Sequence, residues 1–241
     1  MTRWLLIAWL LLPVGAHATP VEAVISEDLI TMDASFTGTK MFYVGARNDN
    51  GDIVVVVRGP QKNYMVRKKE KILGMWLNHD RMKFFNVPSY YALASNKPLS
   101  DIEQTALFAQ LGIGHDNLFM QHSFSADTSK VDAFSQALLD YQIKQRLYTK
   151  EPIALSGGER LLKALIAFPD TIPTGEYTAE IYLVSDGEVT GMQSNPIHVI
   201  KSGLDAVIYN YAHNQPEIYG IIAIFMAFSI GWLGGRIFNK G

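Results

Sequence analysis

Cysteine is absent from the 241 residues. That excludes disulfides, thiolate catalysis, cysteine-ligated zinc or iron–sulfur clusters, and a lipid anchor on cysteine. Charge is sparse: 18% of residues are charged, against about a quarter in an average soluble domain. The formal net charge of −2 gives no electrostatic reason to expect nucleic acid, which needs a clustered positive surface. Catalytic signatures are missing too. There is no G-x-S-x-G, no H-E-x-x-H and no S-x-x-K. Ser156-Gly157-Gly158-Glu159 lacks the Lys and Ser/Thr that complete a phosphate loop. His79-Asp80 and His115-Asp116 are chain neighbours, and adjacent residues on a strand face apart. No enzyme is expected, and no cofactor is called for.

Long apolar runs are present, one at each end. Residues 1–18 read as a secretory signal: Arg3 supplies the positive start, Trp4 to Val14 the apolar stretch, and Ala16-His17-Ala18 the cleavage site. Ile218 to Gly235 is uncharged and bracketed by Glu217 and Arg236. With its flanks it makes about 30 Å of helix, the thickness of the hydrocarbon core. Residues 216–236 are therefore predicted to be one transmembrane helix. Pro216 suits its first turn, and Tyr209, Tyr211, Tyr219 and Trp232 suit the interfaces. Arg236 and Lys240 place the tail, 237–241, in the cytoplasm. Residues 202–215 form a juxtamembrane segment, with Leu204, Val207, Ile208 and Tyr211 on one helical face. That face suits the outer bilayer surface or the folded domain equally well.

Between these ends, residues 19–201 read as one exported β domain. Val21–Ser26, Leu29–Phe36, Lys40–Ala46, Tyr64–Lys71 and Met75–Phe85 are β-prone. The β-branched run Ile53 to Val57 suits a strand buried on both faces. The middle changes period. Ser100-Asp-Ile-Glu103 reads as a capping box ahead of a helix ending at Gly112. A second helix is expected over 129–147, its stripe formed by Val131, Phe134, Leu138 and Tyr141, after a polar loop from His115 to Thr128. Strands resume with Leu161–Phe168. Asp186-Gly187 marks a hairpin turn. Pro173-Thr-Gly175-Glu-Tyr177 before a strand matches the tyrosine corner of immunoglobulin-like sandwiches, in which the Tyr hydroxyl bonds back to the backbone. The predicted fold is mainly β: an immunoglobulin-like β-sandwich with a two-helix insertion, 99–148, plus one C-terminal transmembrane helix.

Further segments carry a family likeness. They are Phe36-x-Gly38, Val55-Val56-Val57-Arg58-Gly59-Pro60, Val66-Arg67-Lys68-Lys69, Gly74-Met75-Trp76-Leu77-Asn78 and Val87-Pro88-Ser89-Tyr90-Tyr91. With them go Pro173-Thr-Gly175-Glu-Tyr177, Lys201-Ser-Gly203-Leu204, Pro216-Glu-Ile-Tyr219-Gly220 and Gly231-Trp232. In these the chain resembles the Alph_Pro_TM family of alphaproteobacterial transmembrane proteins. The resemblance implies a bacterial inner-membrane protein with a periplasmic domain, and a sulfite-exporter-like permease as a transport partner. It supplies no catalytic residue.

Three groups of residues are candidates for function. Ala223, Ala227, Gly231 and Gly235 recur every four residues, a stripe of small residues that lets two helix backbones approach closely. Its partner is a second copy of the chain or an integral membrane protein. Arg67, Lys68 and Lys69 are a candidate surface contact for anionic headgroups or an acidic partner, though Lys on an edge strand also deters aggregation. Met120-x-His122 with His115, and Met75, His79 and Met82, hold donors that suit Cu(I). Met75 and Met82 differ in parity, so a straight strand turns them apart. Core methionines and surface histidines account for the same residues, and no metal site is expected. The leading expectation is an interaction module in the inner membrane, the alternative a periplasmic ligand- or metal-binding protein, and a third an unfamiliar hydrolase.

Overall fold

A computed structural model describes residues 20–72, 75–102, 105–118, 121–123, 128–203 and 216–238. The signal segment 1–18, most of the juxtamembrane segment (204–215), the end of the tail (239–241), Glu103 and Met120 lie outside the described residues.

The fold is mainly β. One sheet joins β1 (Val21–Ile25), β3 (Thr39–Arg47), β11 (Leu161–Phe168) and β10 (Ser156–Gly157), in that order. The other joins β2 (Leu29–Met32), β13 (Glu188–Lys201), β12 (Gly175–Ser185), β4 (Asp52–Arg58), β7 (Tyr91–Ser95) and β9 (Ile153–Ala154). Neighbours are antiparallel except β2 with β13 and β7 with β9. The two sheets share one hydrophobic cluster. Strand alternation builds it: β11 buries Leu162, Ala164, Ile166 and Phe168 and exposes the residues between.

β4 lies between β12 and β7, and Ile53 to Val57 are all buried. Its two faces are covered differently. Val55 stands opposite Ile181 of β12, which reaches Gly45 of the first sheet. Val54, Val56 and Arg58 have the other parity and face the helical region. There α1 (Thr105–Leu111) is tied down through its C-terminal end. The Arg58 guanidinium donates to the Leu111 carbonyl at 2.6 Å and pairs with Glu180. The Tyr91 hydroxyl donates to the Gly112 carbonyl at 3.3 Å and accepts from the Gly114 N–H at 2.8 Å. These groups satisfy carbonyls that a helix end leaves open.

Two expected elements are shorter than predicted. β2 stops at Met32 because the Asp33 carboxylate accepts from the Ser35 N–H and hydroxyl, closing a local turn. The helix predicted from Ser100 is instead a 3₁₀ turn, Leu99–Asp101, ended by the extended backbone of Ile102. The Ser100 hydroxyl goes to the Asp101 carboxylate at 3.0 Å. The loop expected over 115–128 holds a 3₁₀ turn, His115–Asn117, and a short strand β8 (Gln121–His122).

The largest departure is the hairpin of β5 (Gln61–Ile72) and β6 (Met75–Pro88). The sequence reading places these strands in the sandwich. They form a separate sheet, β5-β6-β8, which packs on α2 (Thr128–Lys144). A second cluster joins them: Met82, Phe84 and Val87 of β6 with Phe134 and Leu138 of α2. The chain thus leaves the sandwich first at the hairpin, returns to it as β7, and leaves it again after Ser95 for the helical region. Tyr141, expected in the apolar stripe of α2, is 54% exposed, while Leu139 and Gln142 are buried on the sandwich side.

At Asp186 and Gly187 both φ angles are positive, 48° and 91°, as a two-residue turn with the twist of the flanking strands requires. Finally, α3 (Pro216–Phe238) is a continuous helix of 23 residues. It covers the segment expected at 216–236 and runs on into the expected tail.

Candidate functional site

The P-x-G-x-Y segment leads into β12. The Tyr177 hydroxyl donates to the Pro173 carbonyl at 2.6 Å. Gly175 has φ +145°, and a Cβ there would lie 2.8 Å from Pro60 Cγ, so the turn requires glycine. The Tyr177 ring is buried against Tyr90 and Phe168, at centroid distances of 5.8 and 6.0 Å. Burial pushes its hydroxyl well above the usual phenol range. Pro173, Gly175 and Tyr177 thus join the start of β12 to the aromatic core; they carry no exposed chemistry.

On α3, every described side chain but the partly covered Gly220 is exposed, among them Ile221, Ile224, Phe225, Phe228, Ile230 and Trp232. A Cβ at Gly231 would meet nothing within 4 Å. Ala223, Ala227, Gly231 and Gly235 sit four apart on the helix, each about 40° further round than the last. They form a slowly winding stripe. The Ser229 hydroxyl is closed onto the Phe225 carbonyl at 2.8 Å, which satisfies its polar group within the helix. Among the described residues, no helix is long and apolar enough to cross a membrane; the described side chains of α3 end at Trp232, short of Gly235.

The basic run lies on β5, the outer strand of its sheet. Alternation splits it. Arg67 stands opposite Arg81, and Lys68 stands opposite Asp80. Asp80 accepts from the Lys130 ammonium of α2 at 3.2 Å. Lys69 follows in the strand, where a register shift separates it from Lys68. Between hairpin and helix runs a cavity of about 300 Å³, its lining including Val66, Arg67, Lys130, Phe134 and Ala137.

The structure brings His115 and His122 to one cavity of about 350 Å³, with Asp116 and Asp132 in its lining. The His115 ring stacks on Tyr148, centroids 6.3 Å apart, and its Nε2 is buried without a hydrogen-bond partner. Burial holds this imidazole below its usual pKa, against the opposing pull of Asp116. Among the described residues no group of three or more His, Asp or Glu is arranged to hold a metal ion. Met82, part of the sequence-level copper reading, is buried in the hairpin cluster.

Sequence reasoning missed two features. The first is the Arg58–Glu180 pair, joined by the Tyr182 hydroxyl at 2.9 Å from Glu180. The only signal for it is a charge directly after a buried valine run. The second is an apolar patch on the outer face of the first sheet. Val24, Phe42, Leu161 and Leu165 are all at least two-fifths exposed, and register sets Phe42 beside Leu165. The Lys163 ammonium lies over the Phe42 ring, 4.3 Å from its centre. The alternation of Leu161–Phe168 already places Leu161 and Leu165 opposite the buried side; only pairing adds Phe42 and Val24.

No curated protein and no solved structure matches this chain. A family model does match, over residues 20–240, described as "Putative transmembrane protein (Alph_Pro_TM)". Its match takes in the sandwich, the hairpin with its helix, and α3, and the chain belongs to this transmembrane protein family.

Proposed function

We propose that the chain is a single-span inner-membrane protein. Its immunoglobulin-like domain stands in the periplasm and acts by contact, as an accessory module for a membrane partner. The observation that carries this reading is α3: 23 unbroken helical residues, whose described apolar side chains, up to Trp232, are exposed. At 1.5 Å per residue that is about 35 Å, enough for the hydrocarbon core. No charge falls between Glu217 and Arg236. Arg236 and Lys240 favour a cytoplasmic C-terminus.

The strand order supports the immunoglobulin-like assignment. β1-β3-β11-β10 fits the A-B-E-D sheet, and β13-β12-β4 fits G-F-C. The Tyr177 bond then falls at the start of strand F, where a tyrosine corner belongs. The hairpin and the helices form two excursions after strand C, separated by β7, which returns to pair with β4.

A helix apolar on all sides has no hydrophobic reason to prefer one neighbour within lipid. Selectivity comes from close packing, which Ala223, Ala227, Gly231 and Gly235 allow. The partner is an integral membrane protein, a sulfite-exporter-like permease by the family resemblance, or a second copy. Detergent purification of the tagged native chain, with identification of what accompanies it, tests this. In Gly231→Leu and Gly235→Leu, recovery of the partner is expected to fall at least about tenfold, with both variants still in the membrane fraction. Unchanged recovery in both overturns the docking role. Labelling of Lys240→Cys by an impermeant reagent in intact spheroplasts overturns the orientation.

A second reading, a ligand- or metal-binding protein serving transport, draws on the cavity around His115 and His122. Calorimetric titration with copper tests it, and retained binding in His115→Ala with His122→Ala rejects that cavity as the site.

A further inference from the structure

We propose that the outer face of the β5–β6 hairpin rests on anionic phospholipid headgroups. Register sets Arg67 opposite Arg81 and Met65 opposite Lys83. With Phe85, two residues beyond Lys83, these side chains share by alternation the face opposite Val66, Met82 and Phe84, and on the outer strand Met65 and Arg67 also border the cavities beside α2. The opposite face carries Val66, Met82 and Phe84 into the second cluster. The outer face is thus cationic with apolar side chains between the charges. Met65 is 50% exposed, and the Lys83 ammonium lies 4.8 Å from the centre of the Phe85 ring.

Like charges directly opposite each other destabilise a strand pair. Among the described residues no carboxylate pairs with Arg67, Arg81 or Lys83. Asp80, the nearby acid, faces α2 and pairs with Lys130. A face shaped for stability alone would alternate its signs. An anionic surface removes the repulsion, and phospholipid headgroups of net negative charge, such as phosphatidylglycerol in the leaflet that faces the domain, present one.

Placement selects lipid as the occupant. β4 is antiparallel to β12, with Arg58 opposite Thr178, and Gly175 stands opposite Val199. The end of β4, the start of β12 and the end of β13 therefore lie at one end of the sheet. The hairpin leaves from that end at Gln61, and the chain leaves from it at Lys201 on its way to α3. Residues 204–215 reach at most about 40 Å when fully extended. The 12 residues of β5 measure about 40 Å. A hairpin of this length can meet the bilayer to which the chain is tied. This inference rests on α3 spanning that bilayer.

The test uses the full chain, whose lack of native cysteine allows a single label at Met65→Cys. The labelled chain is placed in nanodiscs of phosphatidylcholine, alone or with about a third phosphatidylglycerol, each with a nitroxide-bearing lipid as quencher. Quenching is expected to be several-fold greater in the anionic discs and to vanish at about 0.5 M salt. Each charge removed weakens the contact about fivefold, so Arg81→Glu with Lys83→Glu abolishes it, with an unchanged circular dichroism spectrum. A label at Glu188→Cys, at the far end of the sheet, remains unquenched. Equal quenching in both lipids, or none, overturns the proposal while α3 remains inserted. Protection of Met65→Cys only by a co-purified acidic protein also overturns it. Failure of the chain to enter the discs overturns the spanning reading and this contact with it.

Discussion

Phe84→Ala separates the hairpin from the sandwich. Phe84 is fully buried, yet its cluster is not the sandwich core. It has Met82, Val87, Phe134 and Leu138 as buried neighbours, with Tyr64, Val66 and Val131 packed at the edge. Five buried side chains at about 1.5–3 kcal/mol each give about 8–15 kcal/mol of gross burial, before the entropy of ordering two strands and a helix is subtracted. Truncating Phe to Ala in a packed core costs about 3–5 kcal/mol. That is about a fifth to three-fifths of the gross burial of those five side chains. The loss should therefore appear as local opening. Native-state hydrogen exchange of the full chain in detergent is the assay. Amides of β5, β6 and α2 are expected to exchange faster by roughly two to three orders of magnitude, as about 3–4 kcal/mol implies. Amides of β12 and β4 should keep their protection. Equal loss over both sheets would show that the two clusters unfold as one body and would refute the reasoning.

Arg58→Met removes a guanidinium that holds Glu180 and the Leu111 carbonyl together. It leaves a mostly buried carboxylate short of its cation, and a loss of about 2–4 kcal/mol in chemical denaturation is expected. Arg58→Lys retains the charge but not the fork, and should fall between. Tyr177→Phe keeps the ring and deletes the bond to Pro173. It should cost about 1–2 kcal/mol by denaturant midpoint with unchanged membrane targeting. Burial disfavours the charged form of His115, so its folded pKa lies below the ordinary 6.5. The unfolded chain then binds more protons at low pH. Stability should be flat above about pH 6.5 and fall as pH drops through the folded value. His115→Phe should flatten that fall in denaturant midpoints taken across the range, and an unaltered slope would assign it to other groups.

Elements set by local patterns were legible in the residues. The alternation of Leu161–Phe168, the valine run of β4, and Asp186-Gly187 each constrain a strand or turn through neighbours in the chain. So did the uncharged stretch within α3, because a helix satisfies its own backbone and needs no distant partner to form. The capping box at Ser100 was misleading for the opposite reason. Its hydroxyl has an acceptor next door in Asp101, and the helix starts later.

What the residues alone determined is therefore local: a cysteine-free, mainly β chain with an apolar helix near its end and a glycine turn before Tyr177. Only tertiary structure decided that β5 and β6 leave the sandwich, since a strand's partner depends on contacts far along the chain. The same holds for the cationic face. Arg67 stands in a visible basic run, but Arg81 and Lys83 join it only when the hairpin register sets them opposite, and register is a property of the pair of strands. Likewise Arg58 finds Glu180 and Leu111 through folding alone, because side-chain charges meet in space and their spacing in the sequence does not encode it.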